Sequence, residues 1–280
     1  MDARLQRRVQ RYGWDLAATD YEPLWGQQLS GVQAELMARA ALQRGERVID
    51  IACGTGLVAF GAAHIVGLQG RVVGVDLSGE MVEAAALYAD ERKQHNASFA
   101  RMDAECLELP DAQFDVALCQ LGLMYLPEPG RALHEMRRVL RPGGRMVSAV
   151  WGERSRCGWS ALFGIVQAEV TSQVCPLFFH LGQGETLAHL CGEAGFVFVE
   201  TQRINTTLDY ANADQACKAA FAGGPVALAW SRFDTAVRER VCRHYIESIA
   251  PWRDGETYHL PGEFVVVSAQ APGPPPDQPR

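Results

Sequence analysis

No segment of this 280-residue chain approaches the roughly 20 uninterrupted apolar residues that a membrane-spanning helix requires. A secretory signal is missing from the start as well. Arg4, Arg7, Arg8 and Arg11 interleave with polar residues and no apolar stretch follows, so a cytoplasmic protein is the simplest expectation. Positive charge is in deficit: 26 Lys and Arg stand against 33 Asp and Glu, a formal net charge of −7. Affinity for a phosphate backbone rests on clustered Lys and Arg, so no nucleic-acid partner is expected. The cluster Arg137, Arg138 and Arg141 suits a helix C-terminus, where basic side chains complement the macrodipole. Also absent are a C-x-x-C pair and any Cys/His grouping at structural-zinc spacing. The eight cysteines, Cys53, Cys106, Cys119, Cys157, Cys175, Cys191, Cys217 and Cys242, are therefore expected to be reduced, several of them in the core, with no metal site.

What is present begins with Val48-Ile49-Asp50-Ile51-Ala52-Cys53-Gly54-Thr55-Gly56, answered by Asp76 at the end of Arg71-Val72-Val73-Gly74-Val75-Asp76. The apolar run reads as a buried strand, the glycines let the following turn pass close to a ligand, and Asp76 can bind a ribose diol. Taken alone, this fits two nucleoside cofactors, and Gly54-x-Gly56-x-x-Ala59 satisfies the dinucleotide fingerprint with Ala in third place. Asp50 argues for S-adenosylmethionine. A buried carboxylate needs a partner, which a methionine ammonium supplies, whereas a pyrophosphate would be repelled.

Two further stretches complete an ordered set. Arg101-Met102-Asp103-Ala104-Glu105-Cys106-Leu107-Glu108-Leu109-Pro110 runs on to Phe114-Asp115-Val116-Ala117-Leu118-Cys119, and Glu135-Met136-Arg137-Arg138-Val139-Leu140-Arg141-Pro142-Gly143-Gly144-Arg145-Met146-Val147 follows. Over residues 45–151 the chain resembles the class I S-adenosylmethionine-dependent methyltransferases, in particular the quinone-biosynthesis C-methyltransferases and the small-molecule methyltransferases around them. The resemblance implies an α/β fold: a Rossmann-like, seven-stranded, mostly parallel sheet with its last strand antiparallel, helices on both faces and an inserted helical lid. S-adenosyl-L-methionine is the cofactor it implies.

The same resemblance implies roles at matching positions. Gly54 and Gly56 approach the methionine and ribose, Asp76 takes both ribose hydroxyls, Leu77 and Met81 flank the adenine, and Asp103 accepts from its amino group beside the Ala104 backbone. Gln120 lies at the floor of the methyl-transfer site. For Met81, plain helix core is an equal reading. No Asn-Pro-Pro-Tyr type motif follows Gln120, which disfavours exocyclic amines and glutamine side chains as acceptors.

In-line methyl transfer depends mainly on holding nucleophile and methyl close and aligned, so a shaped, dry pocket can suffice. Trp14, Tyr21 and Trp25 are candidate substrate-binding walls, on a segment that folds over the cofactor in the family, together with Tyr125 and the lid aromatic Phe179. A hydroxyl or activated carbon would still need a base, for which His180 is the first candidate with Tyr125 beside it. His180 as a structural residue remains the competing reading. The expected activity is methyl transfer to a small, fairly apolar or aromatic metabolite. Alternatives are a non-catalytic cofactor-binding partner or sensor, an arsenite methyltransferase using scattered thiolates, and an NAD-dependent oxidoreductase. Nothing in the pattern specifies an oligomeric state.

Domain organisation follows from the placement of these motifs. Residues 1–44 form a helical cap, with a helix over 32–42. The cofactor core occupies 45–151, with helices at 57–66, 80–94 and 131–140 and strands at 98–102, 114–119 and 145–151; Pro142 cannot continue a helix. A lid occupies 152–183. Residues 184–270 complete the sheet, with helices at 185–194, 214–221 and 233–249 and strands at 196–200 and 263–268. Residues 271–280, with five prolines, are expected to be a disordered tail.

Overall fold

The computed structural model describes residues 2–170 and 177–273. Helices α1 (Ala3–Trp25) and α2 (Ser30–Ala40) precede a run of alternating strands and helices. These are β1 (Arg47–Ile51), α3 (Leu57–Val66), β2 (Arg71–Asp76), α4 (Gly79–Glu91), β3 (Ala97–Arg101), β4 (Phe114–Gln120), α5 (Pro129–Val139) and β5 (Leu140–Trp151). The C-terminal part adds α6 (Ala161–Gln167), α7 (Thr186–Glu193), β6 (Val197–Tyr210), α8 (Ala213–Phe221), α9 (Ala227–Arg232) and α10 (Thr235–Ile249). A two-residue β7 (Arg253–Asp254) and a long β8 (Thr257–Gln270) close the fold.

The sheet order is β3-β2-β1-β4-β5-β8-β6, with β7 pairing off this path on β8. Neighbours from β3 through β5 are parallel, whereas β8 is antiparallel to both β5 and β6. This is the mostly parallel, Rossmann-like α/β sheet implied by the sequence, with β7 as an eighth, minor strand.

Local chemistry explains the parallel half. Five of the seven residues of the central strand β4 are apolar, and all but Gln120 are buried, as expected for a strand covered on both faces. Ser78 caps α4 by accepting from the Met81 N–H at 3.2 Å, so the turn after Asp76 passes directly into a helix. Pro129 sits in the first turn of α5, and the helix stops at Val139, three residues before Pro142.

The C-terminal strands are longer than their hydrophobicity suggests. β6 extends to Tyr210 rather than 200, and β8 starts at 257 rather than 263, because residues 205–210 pair with 258–263 in antiparallel register. β6 is an edge strand whose middle, residues 200–207, is mostly polar and lies at exposed and half-buried positions, with Leu208 and Tyr210 buried near its end. Backbone pairing and not an apolar face defines it, so its composition carries little strand signal. Residues at the start of the expected tail are docked. Ala271 is buried, donates to the Gly144 carbonyl at 2.8 Å, and shares with Pro272 the N–H of Gly143. Residues 274–280 of that tail, and 171–176 of the expected lid with Cys175, lie outside the described residues.

Candidate active site

Across the C-terminal ends of β1, β2 and β4 runs a cleft enclosing about 1220 Å³ of empty space, its open mouth included. Helix α1 lies along it. Arg7, Arg11, Trp14, Tyr21 and Trp25 all line the cleft, and their spacing of three, four and seven puts them on one helical face.

At one end the walls are Ala52 and Gly54 after β1, Asp76, Leu77, Ser78 and Met81 after β2, and Met102, Asp103 and Ala104 after β3. Asp76 is fixed by the backbone: its two oxygens accept from the N–H groups of Gly54 and Ser78, each at 2.9 Å. Burial pushes its pKa up, and these hydrogen bonds oppose the rise. Gly54 has φ +54°, and a Cβ there would meet only the Tyr21 ring edge at 3.7 Å, leaving the turn open towards a ligand. A carboxylate held rigidly on the wall beside an unobstructed glycine turn suits a ribose diol, so these residues fit the nucleoside of the implied cofactor.

Helix α1 is strapped to this end at two points. The Ser78 hydroxyl donates to Asp15 at 2.6 Å. The Arg7 guanidinium pairs with the buried Glu105 and lies 3.2 Å from Asp103 and 3.5 Å from Glu128. Glu105 also accepts from the Glu128 N–H at 2.6 Å, which ties the loops after β3 and β4 together.

The opposite end is aromatic. Trp25, Tyr125, Trp151, Trp159, Phe178, Tyr210 and Tyr245 line it, and Gln120, Leu121 and Gly122 form the floor between the ends. The rings brace one another: Trp151 stands 4.9 Å from Trp159 and Tyr125 5.4 Å from Phe178, both edge-on. The Nε1 atoms of Trp25 and Trp159 and Oε1 of Gln120 are buried with no hydrogen-bond partner among the described residues.

The cleft thus brings together Gly54, Asp76, Leu77, Met81, Asp103, Ala104, Gln120, Trp14, Tyr21, Trp25 and Tyr125. Four expected site residues stand elsewhere. Asp50 is buried behind the wall, Oδ2 without a partner among the described residues; desolvation and the Asp76 charge push its pKa well up, against a hydrogen bond from the Ala59 backbone. Gly56 faces inward, where a Cβ would lie 2.8 Å from Phe60 and 3.1 Å from Phe99, so its φ of +90° serves packing and the start of α3. Phe179 packs against Trp159 and Phe163, leaving Phe178 to face the cleft. His180 is exposed and off the cleft wall, since the tight turn that buries Phe178 and Phe179 sends the next side chain outward.

Sequence reasoning passed over Arg7, Arg11, Trp151, Tyr210 and Tyr245. The first two could have been found by extending the spacing of Trp14, Tyr21 and Trp25 backward along one helix face. Tyr245 shares the apolar stripe of α10 with Val241 and Ile249, all three buried, so its pattern is that of core.

The methyltransferase-domain family matches residues 48–144, the segment that carries Gly54, Asp76, Asp103 and Gln120. A ubiquinone/menaquinone biosynthesis C-methyltransferase from Francisella philomiragia is 31% identical over 185 residues, covering 61% of this chain and 74% of the relative. Aklanonic acid methyltransferase of Streptomyces sp. strain C5 is 33% identical over 52% of this chain and 66% of its own. The Haemonchus contortus phosphoethanolamine N-methyltransferase 2, solved with phosphomonomethylethanolamine and S-adenosylhomocysteine, shares the fold at TM-score 0.60 and 16% identity over 92% of this chain and 57% of that one. The chain belongs to the class I S-adenosylmethionine-dependent methyltransferases. It is an enzyme that uses S-adenosyl-L-methionine and resembles the quinone-biosynthesis C-methyltransferases. No helix among the described residues is long and apolar enough to cross a membrane.

Proposed function

We propose that the cleft holds its cofactor at the Asp76 end and methylates a small, fairly apolar or aromatic metabolite at the aromatic end. The observation carrying this reading is the division of one cleft into a charged, motif-bearing half and a half walled by seven aromatic rings. In this reading Asp76 accepts from the ribose hydroxyls, Leu77 and Met81 sandwich the adenine, and Asp103 and the Ala104 backbone receive its amino edge. Asp50 stands behind the methionine portion, where the cofactor's ammonium would offset the burial that otherwise favours its neutral form. When bound, the cofactor supplies a sulfonium methyl that the acceptor's electron pair takes, the sulfur keeping the pair of the broken bond.

The chain's own contribution is then alignment. Stacked and edge-on rings fix the plane of an aromatic acceptor and exclude water, while the free Nε1 atoms of Trp25 and Trp159 are donors for its oxygen atoms. Among the described residues the cleft wall has no histidine or lysine, and its carboxylates, Asp76 and Asp103, belong to the cofactor end. Burial pushes up the phenols of Tyr21, Tyr210 and Tyr245, which keeps them protonated and leaves Tyr125 as the candidate proton acceptor. Positioning therefore carries the reaction, which can be worth up to roughly 7–11 kcal/mol in well-oriented intramolecular cases. A small-molecule acceptor in preference to nucleic acid, and a cytoplasmic location, go with this reading and with the acidic net charge.

The test is an unbiased screen of extract metabolites for label transferred from methyl-labelled cofactor. The reading expects a labelled small aromatic or apolar product. Label recovered only in protein or nucleic acid would overturn it.

A further inference from the structure

Behind the aromatic end, helices α8 and α10 pack together with Phe221 and Tyr245 edge-on, 5.6 Å between ring centroids. One turn earlier on each helix stand Cys217 and Cys242. The Cys217 thiol lies 3.9 Å from the Cys242 carbonyl oxygen, so the two cysteines adjoin across the α8–α10 contact. Both residues are partly exposed, unlike Cys53, Cys119, Cys157 and Cys191, which are buried.

We propose that Cys217 and Cys242 form a reactive dithiol that hydroperoxides oxidise to an intramolecular disulfide joining α8 to α10. The adjoining Cys217 thiol favours the Cys242 thiolate, lowering its pKa while that of Cys217 is raised. Burial instead pushes the thiols of Cys119, Cys157 and Cys191 up to about 12, so they are poor nucleophiles. Cys242 is accordingly the attacking sulfur. Its thiolate displaces hydroxide from hydrogen peroxide, giving the sulfenic acid, and the hydroxide takes up a proton to become water. The Cys217 sulfur then attacks that sulfenic sulfur, forming the S–S bond and releasing a second water. Two thiols and one peroxide become one disulfide and two waters.

The location gives the bond a consequence. Cys217 and Ala220 share a face of α8, Cys242 and Tyr245 share a face of α10, and Ala220 and Tyr245 both line the cleft. Oxidation would pin these two wall elements together behind the aromatic end and leave the Asp76 end untouched.

The experiment treats the reduced, desalted full chain with one equivalent of hydrogen peroxide, alkylates remaining thiols in denaturant, and maps peptides without reduction. The expected result is a Cys217–Cys242 cross-linked peptide that dithiothreitol reverses, a melting temperature raised by at least about 3 °C, and unchanged S-adenosylhomocysteine affinity. In Cys217→Ser, dimedone should trap Cys242 as the sulfenic acid. In Cys242→Ser, Cys217 should stay a free thiol. Recovery of both cysteines as free thiols when the exposed Cys106 has been oxidised would overturn the proposal. Cross-links of either residue to Cys106 or Cys175 in place of each other would overturn it too.

Discussion

On the cleft wall, Asp76 has each oxygen engaged by a backbone N–H, which holds the carboxylate in one orientation. Charged hydrogen bonds are worth roughly 1.5–3 kcal/mol each, so Asp76→Ala should weaken S-adenosylhomocysteine binding at least about tenfold by calorimetry. Unchanged affinity in a folded variant would remove Asp76 from the ribose site. Burial raises the Asp76 pKa, so its protonation sets in at higher pH than for a free aspartate, and a protonated carboxyl loses an acceptor. Affinity should therefore fall as pH drops, beginning above the ordinary carboxylate value of about 3.9. The ligand-free protein has the opposite sign. Between the unfolded and the raised folded pKa the folded state holds more protons, so the stability contributed by this group is lost as pH rises through that window. The two motif glycines should separate in the same assays. Gly56→Ala puts a Cβ against Phe60 and Phe99 at φ +90°, and should cost about 1–3 kcal/mol of stability in urea melts. Gly54→Ala meets only Tyr21, so it should cost no more than the roughly 1–2 kcal/mol of a left-handed backbone at φ +54° and act in addition on cofactor affinity. Equal stability losses in both would contradict this division.

Among the elements, α1 shows how a cap is joined to a site. Its Arg7 offsets the charge of Glu105, whose side chain is 1% exposed against 24% for Arg7. Breaking a buried pair by removing one partner costs about 3–5 kcal/mol, and the partial exposure of Arg7 places the expected loss for Arg7→Ala towards or below the lower figure. Glu105→Gln in the Arg7→Ala background should recover part of the melting temperature, because the uncompensated charge is gone. No recovery would mean that Arg7 acts through packing alone. The Asp76 end of the cleft was legible element by element as structure because strand, glycine turn and acidic strand end follow one another in the chain and act on their neighbours. Asp76, Ser78 and Gly54 are local chemistry. Trp151, Tyr210 and Tyr245 converge from β5, β6 and α10, and each has the same apolar spacing whether it faces a cleft or a core. Phe178 and Phe179 make the point at closest range, since adjacent identical residues take opposite duties and only tertiary packing tells them apart.

For the whole molecule, the sheet sets the site by ending its parallel strands at one edge, where the β1 and β2 turns meet the loop after β4, as open α/β sheets do at their carboxyl ends. The antiparallel β8 and β6 extend the sheet beyond β5, and the residue just past β6's register partner in β8 anchors the chain end. Ala271 exchanges hydrogen bonds with the Gly143–Gly144 turn, so deleting residues 271–280 should lower the melting temperature by a few degrees, as loss of about 1–2 kcal/mol would. A deletion of 274–280 that proved as costly as the longer one would show that Ala271 and Pro272 are not the anchor.

In the proposed arrangement one cleft holds the cofactor at its Asp76 end and leaves the aromatic end for the acceptor. A crystal structure with S-adenosylhomocysteine tests this arrangement most directly. The expected density has ribose hydroxyls on Asp76, adenine between Leu77 and Met81 with its amino group towards Asp103, and the thioether sulfur facing the space walled by Trp25, Tyr125 and Trp159. Ligand density with the ribose away from Asp76, or with the adenine filling the aromatic end, would contradict it.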